Sequence, residues 1–267
     1  MKVEIKKVNV IKDLGTWFKF AEPEGGESQW VEGRSAMEFA RYMTSSNNNL
    51  PNEISHYLKS IGVKDKKFVC YPEEVTSFEK CNLGKGSGRH HDGLLVSDNF
   101  LVGIEAKVSE PFDLSISKKI EGAKNNSNPD NMRIRINNSL KLLSPNFEDN
   151  NLESNNHLMY QLISGAVGTI IESINRNISK AAFLIIEFGG EVKKETNYKA
   201  KVESNQAAYD KFLTFLGLKD KDDKNRYIDF DEKKLNLINK TGSLRLWINK
   251  IKVNIEKGGY KYSCSLK

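Results

Sequence analysis

The stretch Asp92-Gly93-Leu94-Leu95-Val96-Ser97-Asp98-Asn99-Phe100-Leu101-Val102-Gly103-Ile104-Glu105-Ala106-Lys107-Val108 holds two apolar runs separated by Asp98-Asn99. Asp and Asn tolerate the left-handed angles of a tight turn, so the stretch predicts a β-hairpin. A two-residue turn pairs Ser97 with Phe100, and counting outward places Asp92 opposite Glu105, with Lys107 two residues further along the same face. Two acids and a lysine thus converge at one end of an otherwise apolar hairpin. Opposed carboxylates beside a core repel, and a divalent cation between them would relieve the repulsion. Hard oxygen ligands on neighbouring strands suit Mg²⁺, which binds through one or two carboxylates and keeps waters for a phosphate. The chemistry expected is metal-assisted phosphodiester hydrolysis, with Lys107 orienting or deprotonating the water or neutralising charge at phosphorus.

Upstream, Phe68-Val69-Cys70-Tyr71 reads as a short buried strand stopped by Pro72, and the Gly-rich loop Gly84 to Arg89 leads into the hairpin. Two helices come earlier. One holds Ala36, Phe39, Ala40 and Met43 on one face with Ser35 as N-cap; the other opens at Asn49-Leu50-Pro51 and ends before Gly62. On this reading a helical pair precedes any sheet. Downstream, a polar Asn- and Lys-rich insertion around 109–155 reads as a long mobile excursion. Leu158 to Ile174 then shows helical spacing and Ala181 to Ile186 a buried strand, which implies a crossover onto a parallel neighbour. Ala207 to Leu216 is a further helix, and Leu244–Val253 and Tyr260–Leu266 read as late strands around Gly258-Gly259. With no internal repeat, 1–267 is expected to be a single α/β domain.

The whole chain narrows the function classes. It has 267 residues, 41 Lys+Arg against 35 Asp+Glu, 38% hydrophobic and 28% charged residues, enough for a packed core and only weakly suggestive of a polyanionic partner. No apolar run approaches membrane-spanning length, and the N-terminus lacks a secretory pattern, so a cytoplasmic protein without membrane contact is expected. Cys70, Cys81 and Cys264 form no CxxC pair, and HExxH, GxSxG and GxxxxGK[ST] motifs are absent. His90 and His91, adjacent in a strand, point to opposite faces, which argues against a shared transition metal.

Glu-x-Lys or Asp-x-Lys triplets recur in this chain, but only Glu105-Ala106-Lys107 ends an apolar strand with an Asp in register opposite. In that context the sequence resembles the PD-(D/E)xK nuclease superfamily, the restriction-endonuclease-like fold. Trp30, Gly33-Arg34-Ser35-Ala36, Pro72-Glu73 and Glu105 to Phe112 resemble a bacterial branch assigned to it. The resemblance spans roughly residues 30 to 217 and is sharpest over 90 to 112. It implies a mixed central β-sheet flanked by helices and Mg²⁺-dependent cleavage of nucleic acid, most often DNA, with Mn²⁺ able to substitute, in a restriction or phage-defence setting. Asp92 and Glu105 would be metal ligands together with the Ala106 carbonyl, and Lys107 the catalytic lysine. Glu73, with Glu74 as its rival, would be an accessory acid, and Glu38 and Gln161 are the candidates for accessory helix positions. His91 stands where the motif has Pro. Lys85, Arg89, Arg133 and Arg135 are candidate nucleic-acid contacts, and Lys141 falls in the same basic stretch. A homodimer is expected if both strands of a duplex are cut. The alternative is a catalytically silent nucleic-acid- or partner-binding module that keeps the fold.

Overall fold

The computed structural model describes residues 1–78, 80–83, 88–124, 130–144, 147–148, 152–190, 197–256 and 262–264, the last three as backbone. Lys85 and Gly258-Gly259 lie outside the described residues.

The protein is α/β. One mixed sheet is built from β1 (Lys2–Ile5), β2 (Lys67–Thr76), β3 (Arg89–Val96), β4 (Leu101–Lys107), β5 (Lys180–Gly190), β6 (Tyr227–Phe230), β7 (Leu244–Ile255) and β8 (Tyr262–Cys264). The strand order is β1-β2-β3-β4-β5-β7-β6, and β8 adds to β7. β1 is parallel to β2, β4 to β5 and β5 to β7; the remaining pairs are antiparallel. Helices α1 (Leu14–Phe20), α2 (Ser35–Thr44) and α3 (Asn52–Ser60) pack on one face through Trp17, Phe39, Met43, Ile54 and Leu58. The other face carries α4 (Ile116–Ala123), α5 (Asp130–Leu143), α6 (Tyr160–Asn175), α7 (Tyr198–Phe215) and α8 (Glu232–Asn236).

The hairpin forms as its residues dictate. Ser97 N–H donates to the Phe100 carbonyl at 2.9 Å, and the ladder pairs Val96 with Leu101 and Gly93 with Ile104. The next step outward is Asp92 and Glu105. The crossover is also as expected, because α6 connects β4 to a parallel β5 whose Phe183, Leu184, Ile185 and Ile186 are fully buried. Each such side chain contributes about 1.5–3 kcal/mol on burial.

Four readings are corrected. A strand, β1, precedes the helical pair: Val3 and Ile5 face the core while Lys2 and Glu4 face out. Pro72 does not stop β2. Pairing with β1 ends at Cys70, so Pro72 sits where β2 has a neighbour on one side only, a position that tolerates a missing N–H. The insertion around 109–155 is not a structureless excursion. It contains α4 and α5, docked by Ile116, Ile136, Leu140 and Leu143. Finally, the N-cap of α2 is Arg34, with Ser35 the first helical residue.

Candidate active site

The β2–β3 ladder skips one pair, Glu73 with Asp92, and Glu73 has φ +49°. A left-handed conformation is uncommon for a side chain like Glu and marks a local irregularity. The irregularity re-aims β3. Regular alternation would put His91 and Gly93 on one face, yet His91 lies against Gly168 of α6 while Gly93 lies against Phe39 of α2. Asp92, between them, turns toward the end of β4, where its Oδ2 accepts a hydrogen bond from Ala106 N–H at 2.6 Å.

Glu105 is fully buried, flanked by Lys107 and Arg89, themselves 7% and 9% exposed. Lys107 Nζ is 2.8 Å from Glu105 Oε1, and the Arg89 guanidinium bonds Glu105 Oε2. Burial raises Asp92 above the usual carboxylate range and repulsion from Glu105 adds to it, against the pull of Lys107 and the Ala106 N–H. Glu73 is raised likewise, first by burial and then by Asp92. For Lys107, burial alone would lower the ammonium, but attraction by Glu105 and Asp92 outweighs it and holds the pKa above its ordinary value. The site is therefore rich in mutually repelling acid oxygens.

These groups line a cleft of about 220 Å³ together with Gln161, His90, Glu110, Glu24, Gln29 and Arg34. The Gln161 Oε1 is buried and has no hydrogen-bond partner among the described residues. Glu110, to which the sequence assigned no role, accepts from Val108 and Ser109 N–H at 2.9 and 3.2 Å and from Ser35 N–H at 2.9 Å, tying the end of β4 to the start of α2. Burial opposes its charge, but these backbone donors prevail and lower its pKa.

Other candidates fall elsewhere. Glu38 is buried outside the cleft, where it accepts from Gly33 N–H at 2.9 Å and pairs with Arg41 at 3.1 Å. Glu74 pairs with Lys7, so Glu73 is the acid of this pair that lines the cleft. Arg89 opens β3, pairs with Glu105 and, unlike Glu38 and Glu74, lines the cleft. Arg135 is buried, donating to the Leu83 carbonyl at 3.2 Å and stacking over Phe78, because α5 is a docked helix. Arg133 is exposed on α5, away from the cleft lining. His91, fully buried, bonds Thr76, and burial keeps its imidazole neutral well below the ordinary pKa.

The model of a domain of unknown function, DUF6946, matches residues 10–244. The chain belongs to the DUF6946 family. No curated protein and no solved structure matches it. The DUF6946 match takes in every residue that lines the cleft.

Among the described residues, no three His, Cys, Asp or Glu side chains converge closely enough to enclose a metal ion, and no helix is long and apolar enough to cross a membrane. A cation in this cleft would have Asp92 and Glu105 as its donor pair. Two carboxylates plus water suit Mg²⁺, and burial together with repulsion from Glu105, which raise Asp92, are what such an ion would offset.

Proposed function

We propose that the protein is a Mg²⁺-dependent nuclease of the PD-(D/E)xK type, acting on DNA. The observation that carries this reading is the convergence of Asp92, Glu105 and Lys107 in one cleft, from the adjacent strands β3 and β4. Asp92 and Glu105 would hold the ion, which, when bound, polarises the phosphodiester and favours hydroxide over water. Lys107, held as an ammonium, offsets the negative charge that builds on the phosphoryl oxygens. The Gln161 Oε1, without a hydrogen-bond partner among the described residues, is an acceptor for the attacking water or for a nucleotide N–H or O–H. The cleft brings these groups together, and holding reactants in one geometry supplies part of a catalytic advantage.

A specific observation favours a second reading. Both oxygens of Glu105 face cations, Oε2 bonded by Arg89 and Oε1 ion-paired with Lys107, as in a self-contained charge cluster that ties β3 to β4 in a silent binding module.

The test is cleavage of plasmid, linear duplex, single-stranded DNA and RNA with Mg²⁺, Mn²⁺ or EDTA. Under the nuclease reading, cutting requires metal and falls by about 10²-fold or more in Asp92→Ala and Lys107→Ala, comparable to loss of a key charge-stabilising group. Nucleic-acid binding without cutting of any substrate, and with no Mg²⁺ uptake by calorimetry, would favour the silent module.

A further inference from the structure

The irregularity that aims Asp92 and Glu73 is held from outside the cleft. Lys7, in the turn after β1, reaches β2 with one ammonium and makes two contacts. It donates to the Glu73 carbonyl at 2.6 Å and pairs with Glu74 Oε2 at 2.9 Å. The first is a bond to the backbone of the one residue in β2 with positive φ.

Lys7 is in turn the end of a longer chain of polar contacts. Arg176, the C-cap residue of α6, approaches Glu74 Oε1 at 3.8 Å while its Nε bonds Glu172 Oε1 at 2.7 Å, and its guanidinium stacks over Tyr71. The other Glu172 oxygen accepts from Thr76 Oγ1 at 3.1 Å. A hydroxyl has one proton, so Thr76, having donated to Glu172, accepts from His91 Nε2–H at 3.1 Å. The path His91, Thr76, Glu172, Arg176, Glu74, Lys7 thus brackets the skipped Glu73 and Asp92 pair. It starts at the neighbour of Asp92 and ends on the carbonyl of Glu73.

We infer that Lys7 is a positioning residue of the candidate active site: it pins the Glu73 backbone in its left-handed conformation and so aims the Glu73 carboxylate into the cleft. Left-handed non-glycine residues persist only where their surroundings over-determine them, and the two Lys7 contacts supply that determination. Lys7 itself lines no part of the cleft. The inference deepens the nuclease reading by naming what orders its accessory acid, and it rests on that reading for its catalytic consequence.

The test compares wild type with Lys7→Met, Lys7→Arg, Glu73→Gln and the Lys7→Met/Glu73→Gln double variant. Hydrogen–deuterium exchange over residues 72–76 reads the pin without reference to any activity. Exchange there is expected to rise about tenfold in Lys7→Met and to return near wild type in Lys7→Arg. Mg²⁺ titration by calorimetry reads the consequence. Lys7→Met and Glu73→Gln are each expected to weaken binding several-fold, and the double variant no further than the worse single, because Lys7 acts through Glu73. Unchanged exchange in Lys7→Met, or additive losses in the double variant, would overturn the inference. Wild type that binds no Mg²⁺ would count against the nuclease reading alone, and the exchange arm would still decide the role of Lys7.

Discussion

Glu105 sits between two buried cations and shares its cleft with four other acids, so substitutions there separate folding from chemistry. Removing one partner of a buried ion pair leaves an uncompensated charge and costs about 3–5 kcal/mol. Glu105→Ala strands Arg89 and leaves Lys107 with Asp92 as its nearest attracting acid, and urea unfolding should show a loss of about that size. Asp92→Ala removes one hydrogen bond to Ala106 N–H and also a repelling charge, so its loss is expected to stay within about 1–2 kcal/mol. Equal stability of Glu105→Ala and wild type would mean that the pairs are not formed in solution. The core of this site was legible because the two-residue turn fixes which residues oppose each other. The pairing of Arg89 with Glu105 was not legible, because the two lie 16 residues apart and only the fold brings them together.

The elements around the site depend on how closely α6 approaches the sheet. Gly165 faces the Phe183 ring, and a Cβ there would fall 2.4 Å from a ring carbon that has nowhere to move, since Phe183 is fully buried. Alanine gains about 1 kcal/mol in helix propensity over glycine, but overpacking a core costs about 1–3 kcal/mol. Gly165→Ala is therefore expected to lower Tm, and a raised Tm would show that α6 stands further off. Elements with strong periodicity, α6, β4 and β5, could be read directly. By contrast α5 was hidden: its Ile136, Leu140 and Leu143 have helical spacing but lie among asparagines, lysines and arginines that mimic a loop. β1 was hidden by its length, four residues with only Val3 and Ile5 facing inward. Pro72 misled because its position beyond the end of the β1 pairing is a property of the sheet and not of the residue.

For the molecule as a whole, an α/β chain followed from the alternation of strand and helix patterns, while the mixed central sheet was what the family resemblance implied. The contacts that complete the site did not, because they join distant segments: Lys7 meets Glu73 across 66 positions, and Ser35 meets Glu110 across 75. A ligand that binds only the folded state raises stability by about 2.7 kcal/mol at a hundredfold excess over Kd. Mg²⁺ is accordingly expected to raise the Tm of wild type by several degrees and to leave Asp92→Ala unmoved, while EDTA leaves the metal-free protein folded. A Tm that ignores Mg²⁺ in wild type would count against the ion. The decisive measurement is conversion of supercoiled plasmid by wild type and by Lys107→Ala in Mg²⁺, with Mg²⁺ uptake of both followed by calorimetry. Nicked or linear product from wild type, with none from a Lys107→Ala protein that still takes up Mg²⁺, is the expected result. Equal product from both proteins, or neither product nor Mg²⁺ uptake in wild type, would contradict a nuclease centred on Asp92, Glu105 and Lys107.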